Sequence, residues 1–147
     1  MKKLTVITLA MSLLAGTAWA NTSPVGLWRT IDDNTKEERS LVRITEANGA
    51  LSGVVEKILI PSRVDRVCDQ CTDERKGQKI QGMAILRNVK HNASNKEIWD
   101  GGDILDADNG KIYKVRLKPI NGGKQLEVRG YIGAPMLGRT QTWIRVE

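Results

Sequence analysis

The sequence predicts an all-β protein, an eight-stranded antiparallel up-and-down barrel. Three observations lead to this prediction: apolar and polar residues alternate in short runs, Asn-Gly and Gly-rich turns separate the runs, and most links between them are short. Antiparallel pairing of sequence neighbours is the simplest topology for such a chain. Eight strands can then close on themselves, which leaves no strand edge unpaired.

Residues 1–20 have the features of a secretory signal peptide. Lys2 and Lys3 precede an apolar run, and small residues follow up to Ala20. The run is shorter than the roughly 20 apolar residues of a membrane anchor. We therefore expect cleavage after Ala20 and a single barrel domain over residues 21–147 that is periplasmic or secreted and does not span a membrane.

The charge of the predicted mature chain is mild. Loss of Lys2 and Lys3 with the signal peptide lowers the formal net charge from +6 to +4, and the remaining charges of both signs are interspersed. No long block of like charges suggests a tail that binds nucleic acid or lipid. We expect no nucleic-acid partner, and the small positive excess favours anionic partners only weakly.

Alternation is clearest in the segment KIYKVRLKP, where Tyr113, Val115 and Leu117 share one face and basic residues occupy the other. The segment QLEVRGYI predicts a second strand in which Ile132 faces the interior and Tyr131 the opposite side. The pair Gly101-Gly102 predicts a bulge or bend within the fifth strand, or a break between two shorter strands. The predicted strands cover residues 26–31, 39–46, 50–60, 80–88, 96–106, 111–119, 124–132 and 138–146.

The longest connection, about residues 61–79, contains both cysteines of the chain, Cys68 and Cys71. It is either a lid over one mouth of the barrel or a plain surface loop. In an oxidising compartment we expect a disulfide that shapes this connection. A redox-active pair would need a helix N-terminus in a βαβ setting, and a zinc site would need four ligands. Those alternatives stay open, but we expect no metal and no cofactor.

No group of side chains suggests catalysis. His91 lies in the polar segment VKHNASNK before the fifth strand, where we expect a solvated loop histidine rather than a catalytic base. The acidic segment DGGDILDADNG does not follow the pattern of an EF-hand calcium loop. We therefore predict that the protein is not an enzyme.

Two sets of residues are candidates for specific roles. Trp28 and Trp143 lie on the first and last strands, which are neighbours in a closed barrel, and a cationic side chain such as Arg145 could cover one of them. Polar and aromatic residues near the mouth are expected to orient a ligand. The candidates for ligand binding are Trp99, Asp100, Arg129, Tyr131 and Arg139.

The order of several motifs resembles a known bacterial family. The segments GLWRTID, CDQC, GQKIQGMAIL, IWDGGDILDADNGKIYKVRL and VRGYIGAPMLGRTQTWIR resemble the exported family named domain of unknown function 2147, over residues from about 26 to 145. The resemblance implies a lipocalin-like barrel, since GLW is similar to the Gly-x-Trp opening of lipocalins. It implies no established activity and no catalytic residues. One departure, the absence of a proline near Ala107, affects only a turn.

The predicted function is to bind or carry a small apolar or amphipathic molecule inside the barrel. An eight-stranded barrel is either filled by its own side chains or wide enough for one small ligand, and this chain has few aromatic residues to fill it. The alternative is a structural or interaction protein of the cell envelope. A protein partner would then recognise the loop that contains Cys68 and Cys71.

Overall fold

The computed structural model describes residues 22–147, which form a closed eight-stranded antiparallel barrel. Each strand pairs with its neighbours in sequence, and the first strand pairs with the last. The predicted up-and-down barrel is confirmed, whereas the predicted signal peptide lies outside the described residues. The strands are β1 (Gly26–Ile31), β2 (Glu38–Ala47), β3 (Ala50–Ile58), β4 (Ala84–His91), β5 (Trp99–Leu105), β6 (Ile112–Ile120), β7 (Gln125–Tyr131) and β8 (Gly138–Arg145).

The helical content of residues 22–147 consists of short 3-10 segments in the connections. These segments are Pro61–Arg63, Asn121–Gly123 and Pro135–Leu137. Within the described part of the chain, none of them has the length or the hydropathy that a membrane-spanning helix needs.

The core lies inside the barrel because alternating side chains of each strand point inward. In β6, Val115 and Leu117 are fully buried while Lys114 is exposed, as the alternation predicted. In β2, Val42 and Ile44 are likewise completely buried. Burial of each such side chain contributes about 1.5 to 3 kcal/mol, so the inward face supplies the main stabilisation of the sheet.

The fourth strand does not match its predicted bounds. The sequence predicted a strand over residues 80–88, but β4 begins four residues later and ends at His91. Residues before it form a turn in which Gly82, with φ +92°, donates its backbone N–H to β3. Beyond Asn88, which has φ +55°, pairing with β5 resumes. His91 therefore ends a strand and is not a loop residue.

The bulge predicted in β5 is present. The register between β5 and β6 shifts between Trp99 and Gly102, and Gly101 has φ +79°, in the region that favours glycine. A Cβ atom on Gly102 would collide with the backbone carbonyl oxygen of Arg87 in β4. The two glycines thus let the strand bend while its neighbour stays close.

Arg145 closes the seam between β1 and β8. Its guanidinium carbon lies 4.2 Å from the ring centroid of Trp28, which is completely buried. The same guanidinium donates to the carbonyl oxygens of Ser23 at 2.6 Å, Val25 at 2.8 Å and Gly123 at 2.5 Å. Arg145 therefore holds the segment before β1 and the β6–β7 turn against the same end of the barrel, which we call the closed end.

Replacement of this arginine is expected to destabilise the barrel. Arg145→Ala removes the cation–π contact and the donors of three carbonyl groups, so we expect the free energy of unfolding to fall by about 2 kcal/mol. Arg145→Lys keeps the charge but not the planar fork of donors, and should recover only part of the loss. Urea unfolding followed by tryptophan fluorescence measures both effects.

The matched control for this experiment is Arg139→Ala. Arg139 is on the same face of β8 at the opposite end of the barrel, and its side chain is 70% exposed. Its removal should leave the unfolding free energy unchanged within about 0.5 kcal/mol. Equal losses for Arg139→Ala and Arg145→Ala would contradict a specific role of Arg145 at the seam.

Candidate functional site

A cavity of about 490 Å³ opens at the end of the barrel opposite the closed end. We call this end the mouth. The wall of the cavity is largely aliphatic, with one indole ring, and its residues come from five different strands. The wall residues are Val55, Ile58, Ile85, Ile104, Val128 and Trp143.

Fixed polar groups interrupt this apolar wall. The hydroxyl oxygens of Thr30 and Ser40 lie 2.8 Å apart. Trp143 donates its indole N–H to Gln141 at 3.3 Å, and the amide group of Gln141 in turn donates to Asp33 at 3.1 Å. Each of these groups therefore has a hydrogen-bond partner within the protein before any ligand binds.

Charged side chains surround the mouth, and arginines outnumber aspartates among the residues that line the cavity. The cavity lining contains four arginines, Arg39, Arg63, Arg66 and Arg139, and two aspartates, Asp106 and Asp108. Asp108 accepts hydrogen bonds from Arg39 at 2.5 Å and from Arg66 at 2.9 Å. Burial acts to raise the pKa of Asp108, but the two guanidinium groups outweigh that effect and hold the pKa below its ordinary value. Asp108 therefore stays ionised and links three separate segments.

Two arginines of the mouth are less neutralised. Arg139 lies 3.6 Å from Asp33, and most of its side chain is exposed. The side chain of Arg63 is half-buried and makes no hydrogen bond or ion pair with any residue in the range 22–147. Arg63 is therefore a cation beside an apolar cavity, and its charge is available to a bound anion.

Residues 59–83, which connect β3 to β4, cover one side of the mouth, and we call them the capping loop. The predicted disulfide is confirmed, because Cys68 and Cys71 are bonded at an S–S distance of 1.99 Å and both are buried. The sulfur of Cys68 lies 3.7 Å from the carbonyl oxygen of Ala107 in the β5–β6 turn. A Cβ atom on Gly110 of that turn would collide with the carbonyl oxygen of Gln70. The disulfide segment thus packs on the β5–β6 turn.

An ion pair between buried Arg75 and partly exposed Asp73 anchors the capping loop. Arg75, which is 3% exposed, donates to both carboxylate oxygens of Asp73 and, at 2.9 Å, to the carbonyl oxygen of Ala84. Arg87 in β4 lies 2.6 Å from Glu74 in the loop. Hydrogen bonds from Arg75 lower the pKa of Asp73 from 3.8 to about 2. Charged contacts therefore join the loop to the start of β4.

Loss of the carboxylate at residue 73 is expected to destabilise the loop. Asp73→Asn leaves the buried guanidinium of Arg75 without a counter-ion, so the free energy of unfolding should fall by about 2 kcal/mol at neutral pH. Because folding lowers the pKa of Asp73 to about 2, its stabilisation is present above about pH 4 and is lost as the pH falls towards 2. The difference in the free energy of unfolding between wild type and Asp73→Asn should therefore shrink as the pH falls from about 4 to 2.

Asp65→Asn is the matched control. Asp65 is in the same loop, its side chain is 92% exposed, and it lies 3.6 Å from Lys79. We expect no measurable loss of stability, since exposed ion pairs contribute little. Urea titrations at several pH values measure the free energy of unfolding of both variants. If the loss for Asp73→Asn does not change with pH, the stabilisation does not come from the ionised carboxylate of Asp73.

The five residues predicted to bind a ligand do not lie together. Tyr131 and Arg139 line the cavity at the mouth. Trp99 and Asp100 lie at the start of β5, near the closed end. Arg129 lies on the outer face of β7, where it donates to the β7–β8 loop and to β8. The structure therefore brings only two of the five to the cavity.

Two predictions about neighbouring residues at the mouth were wrong, and other lining residues were not predicted. Ile132, predicted to lie in a strand and face the barrel interior, lies beyond the end of β7 and is 64% exposed at the mouth. Tyr131, predicted to face the opposite side, is buried and lines the cavity. Gln141 lies two residues before Trp143, so the period-two alternation of β8 could have placed it inside the barrel. No sequence pattern places Arg63 at the cavity, because it lies in the capping loop and its position depends on how that loop folds back.

His91 is also engaged away from the cavity. Its ring stacks on Trp99 with centroids 4.5 Å apart, and its Nε2 atom lies 2.5 Å from the carbonyl oxygen of Lys96. Within residues 22–147, no three side chains of His, Cys, Asp or Glu come together as a possible metal site.

Comparisons with known proteins agree with this architecture. Protein HP1028 from Helicobacter pylori, described as a member of the lipocalin family, superimposes with a TM-score of 0.71 at 21% sequence identity, and the match covers 84% of this chain and 82% of that one. No curated protein sequence matches this chain. Residues 26–145 match the family described as uncharacterized protein conserved in bacteria (DUF2147), and the chain therefore belongs to that family.

Proposed function

We propose that this protein binds a small amphipathic molecule in the cavity at the mouth. The observation that carries the proposal is the combination of a cavity of about 490 Å³, an aliphatic wall and a rim with excess arginine. The apolar part of the ligand would contact the wall, and a negatively charged group would lie at the rim beside Arg63.

The physical roles of wall and rim differ. Removal of apolar surface from water contributes about 25 cal/mol per Å², which provides affinity without selecting a particular shape. A guanidinium that binds a carboxylate or phosphate forms charge-assisted hydrogen bonds, which select both charge and orientation. Since Arg63 has no partner among residues 22–147, a bound anion would not have to displace an existing ion pair.

The fold supports the same proposal in a general way. The solved structure from H. pylori is described as a lipocalin, and a barrel of this size can enclose one small ligand. The disulfide of the capping loop is compatible with an exported protein. We propose a periplasmic or secreted carrier that holds its ligand at the mouth of the barrel.

We also propose that the protein binds its ligand without chemical conversion. His91, the one histidine of the chain, is stacked on Trp99 near the end of the barrel opposite the cavity. At the mouth, Asp108 is held ionised between two arginines, which is unsuited to proton transfer at neutral pH. Recognition of the capping loop by an envelope protein stays a prediction.

Filling the cavity tests the proposal. Gly130 lines the cavity, and a Cβ atom there would make ordinary contacts of 3.5 Å and 3.7 Å with Tyr113 and Ile104. Gly130→Ala should therefore be tolerated, whereas the side chain of Gly130→Leu would extend into the space for the ligand. We expect the leucine variant to weaken binding of dansyl-labelled undecanoic acid by roughly ten-fold or more, measured by fluorescence titration.

The alanine variant at the same position is the control, and its dissociation constant should stay within about two-fold of wild type. Native mass spectrometry of protein recovered from its own compartment should show a bound small molecule that the leucine variant lacks. Equal probe affinity in wild type and in a folded Gly130→Leu variant would contradict binding in this cavity.

The charge at the rim is tested separately. Arg63→Ala should weaken binding of the same dansyl-labelled acid by about ten-fold, because a charge-assisted hydrogen bond is lost, and should leave binding of its methyl ester nearly unchanged. Lys124→Ala makes the same change of charge in the exposed β6–β7 turn at the closed end and should have no effect. An equal effect of Arg63→Ala on acid and ester would contradict a role in recognising the charge.

A further inference from the structure

The loop between β7 and β8 exposes three large apolar side chains beside the mouth. Ile132 is 64% exposed, Met136 is 80% exposed and Leu137 is 72% exposed. We call these three residues the apolar tip. Single exposed apolar residues are common, but three large ones within six positions of one loop mark a surface that contacts something apolar.

The loop is held in this shape. Pro135–Leu137 form a 3-10 turn, and the backbone N–H of Leu137 donates to the carbonyl oxygen of Ala134 at 2.9 Å. The side chain of Arg129 donates to the carbonyl oxygen of Pro135 at 2.5 Å. These two bonds fix the backbone of residues 134–137, while the side chains of the apolar tip remain exposed.

We propose that the apolar tip inserts into the surface of a lipid bilayer that contains anionic phospholipids. Residues 132–137 read Ile-Gly-Ala-Pro-Met-Leu, so they contain no charged side chain and no side-chain hydrogen-bond donor. Interfaces with proteins usually depend on Trp, Tyr or Arg anchors. Insertion between lipid headgroups requires only apolar groups at the tip and cations at the level of the headgroups.

The charge next to the tip is complementary to anionic headgroups. Arg139, two residues after Leu137, is 70% exposed and lies 3.6 Å from Asp33, too far for a strong hydrogen bond. Arg63 is at the rim of the same mouth without an ion pair among the described residues. Cations in these positions would lie near phosphate groups when the tip enters the apolar layer.

The apolar tip is continuous with the cavity. Ile132 and Leu137 belong to the tip and also to the cavity lining. Docking by the tip would therefore turn the mouth toward the bilayer, and an amphipathic molecule could pass between membrane and cavity without crossing bulk water. Only this last consequence rests on the proposed function, since docking itself requires no ligand.

Co-sedimentation with vesicles tests the docking. Protein recovered after export is mixed, without any added ligand, with vesicles of phosphatidylethanolamine and phosphatidylglycerol or with vesicles of phosphatidylcholine. We expect stronger binding to the anionic vesicles, and in the triple variant Ile132→Ser, Met136→Ser, Leu137→Ser the partition coefficient should fall by roughly ten-fold or more. Arg139→Gln should reduce binding to the anionic vesicles by about three-fold and leave phosphatidylcholine binding unchanged.

Val146→Ser is the matched control. Val146 is also an exposed apolar residue, with 43% exposure, but it follows β8 at the closed end. Its partition coefficient should equal that of wild type. Because the replaced side chains are largely exposed, thermal unfolding should show that the triple variant is folded. The single variant Met136→Ser, at the most exposed position, should lose about three-fold in binding.

Three outcomes would overturn the proposal. Wild-type protein that does not bind anionic vesicles excludes docking, as does a folded triple variant that binds as well as wild type. If light scattering shows that the wild type is a dimer and the triple variant a monomer, the apolar tip forms a contact between two copies of the chain instead. If vesicle binding fails while Gly130→Leu still weakens binding of the dansyl-labelled acid, membrane docking is excluded and the cavity remains the binding site.

Discussion

Pairing of β1 with β8 is the constraint on which the rest of this structure depends. It abolishes the free edges of the sheet, so all eight strands share one interior. The ladder between β1 and β8 is short. Arg145 reinforces it by covering Trp28 and by holding the segment before β1 and the β6–β7 turn. One end of the barrel is closed by these contacts.

Closure at one end leaves the opposite end for a binding site. There aliphatic side chains line the cavity, and the capping loop is held over one side of it by a disulfide and by the ion pair of Arg75 with Asp73. Asp108 joins β2, this loop and the β5–β6 turn through two arginines. The same mouth carries the cavity, the exposed β7–β8 loop and Arg63, whose side chain has no partner among residues 22–147. Ligand binding and membrane contact are therefore proposed for one end of the molecule.

Most of the fold was predictable because period-two alternation is a local property. Val42, Val115 and Leu117 alternate with charged neighbours, and the same alternation determines which side of a strand is buried. The bounds of β4 were not predictable, because residues 80–83 are apolar enough for a strand but are used in a turn against β3. The candidate site was predicted only in part. Tyr131 and Arg139 lie at the mouth, whereas Trp99 and Asp100 lie near the closed end, since composition alone does not say which end of a barrel is open.

The sequence by itself determined the all-β class, the number and order of strands and the resemblance to a bacterial family, and it made a bond between Cys68 and Cys71 the expected state. Each of these follows from neighbouring residues or from short motifs, so it does not depend on contacts between distant parts of the chain. Only the tertiary structure decided which end of the barrel holds the cavity, which arginines are neutralised and which apolar side chains remain in water. Those properties depend on residues far apart in the chain, such as Arg66 and Asp108, whose charges interact only after the barrel has closed.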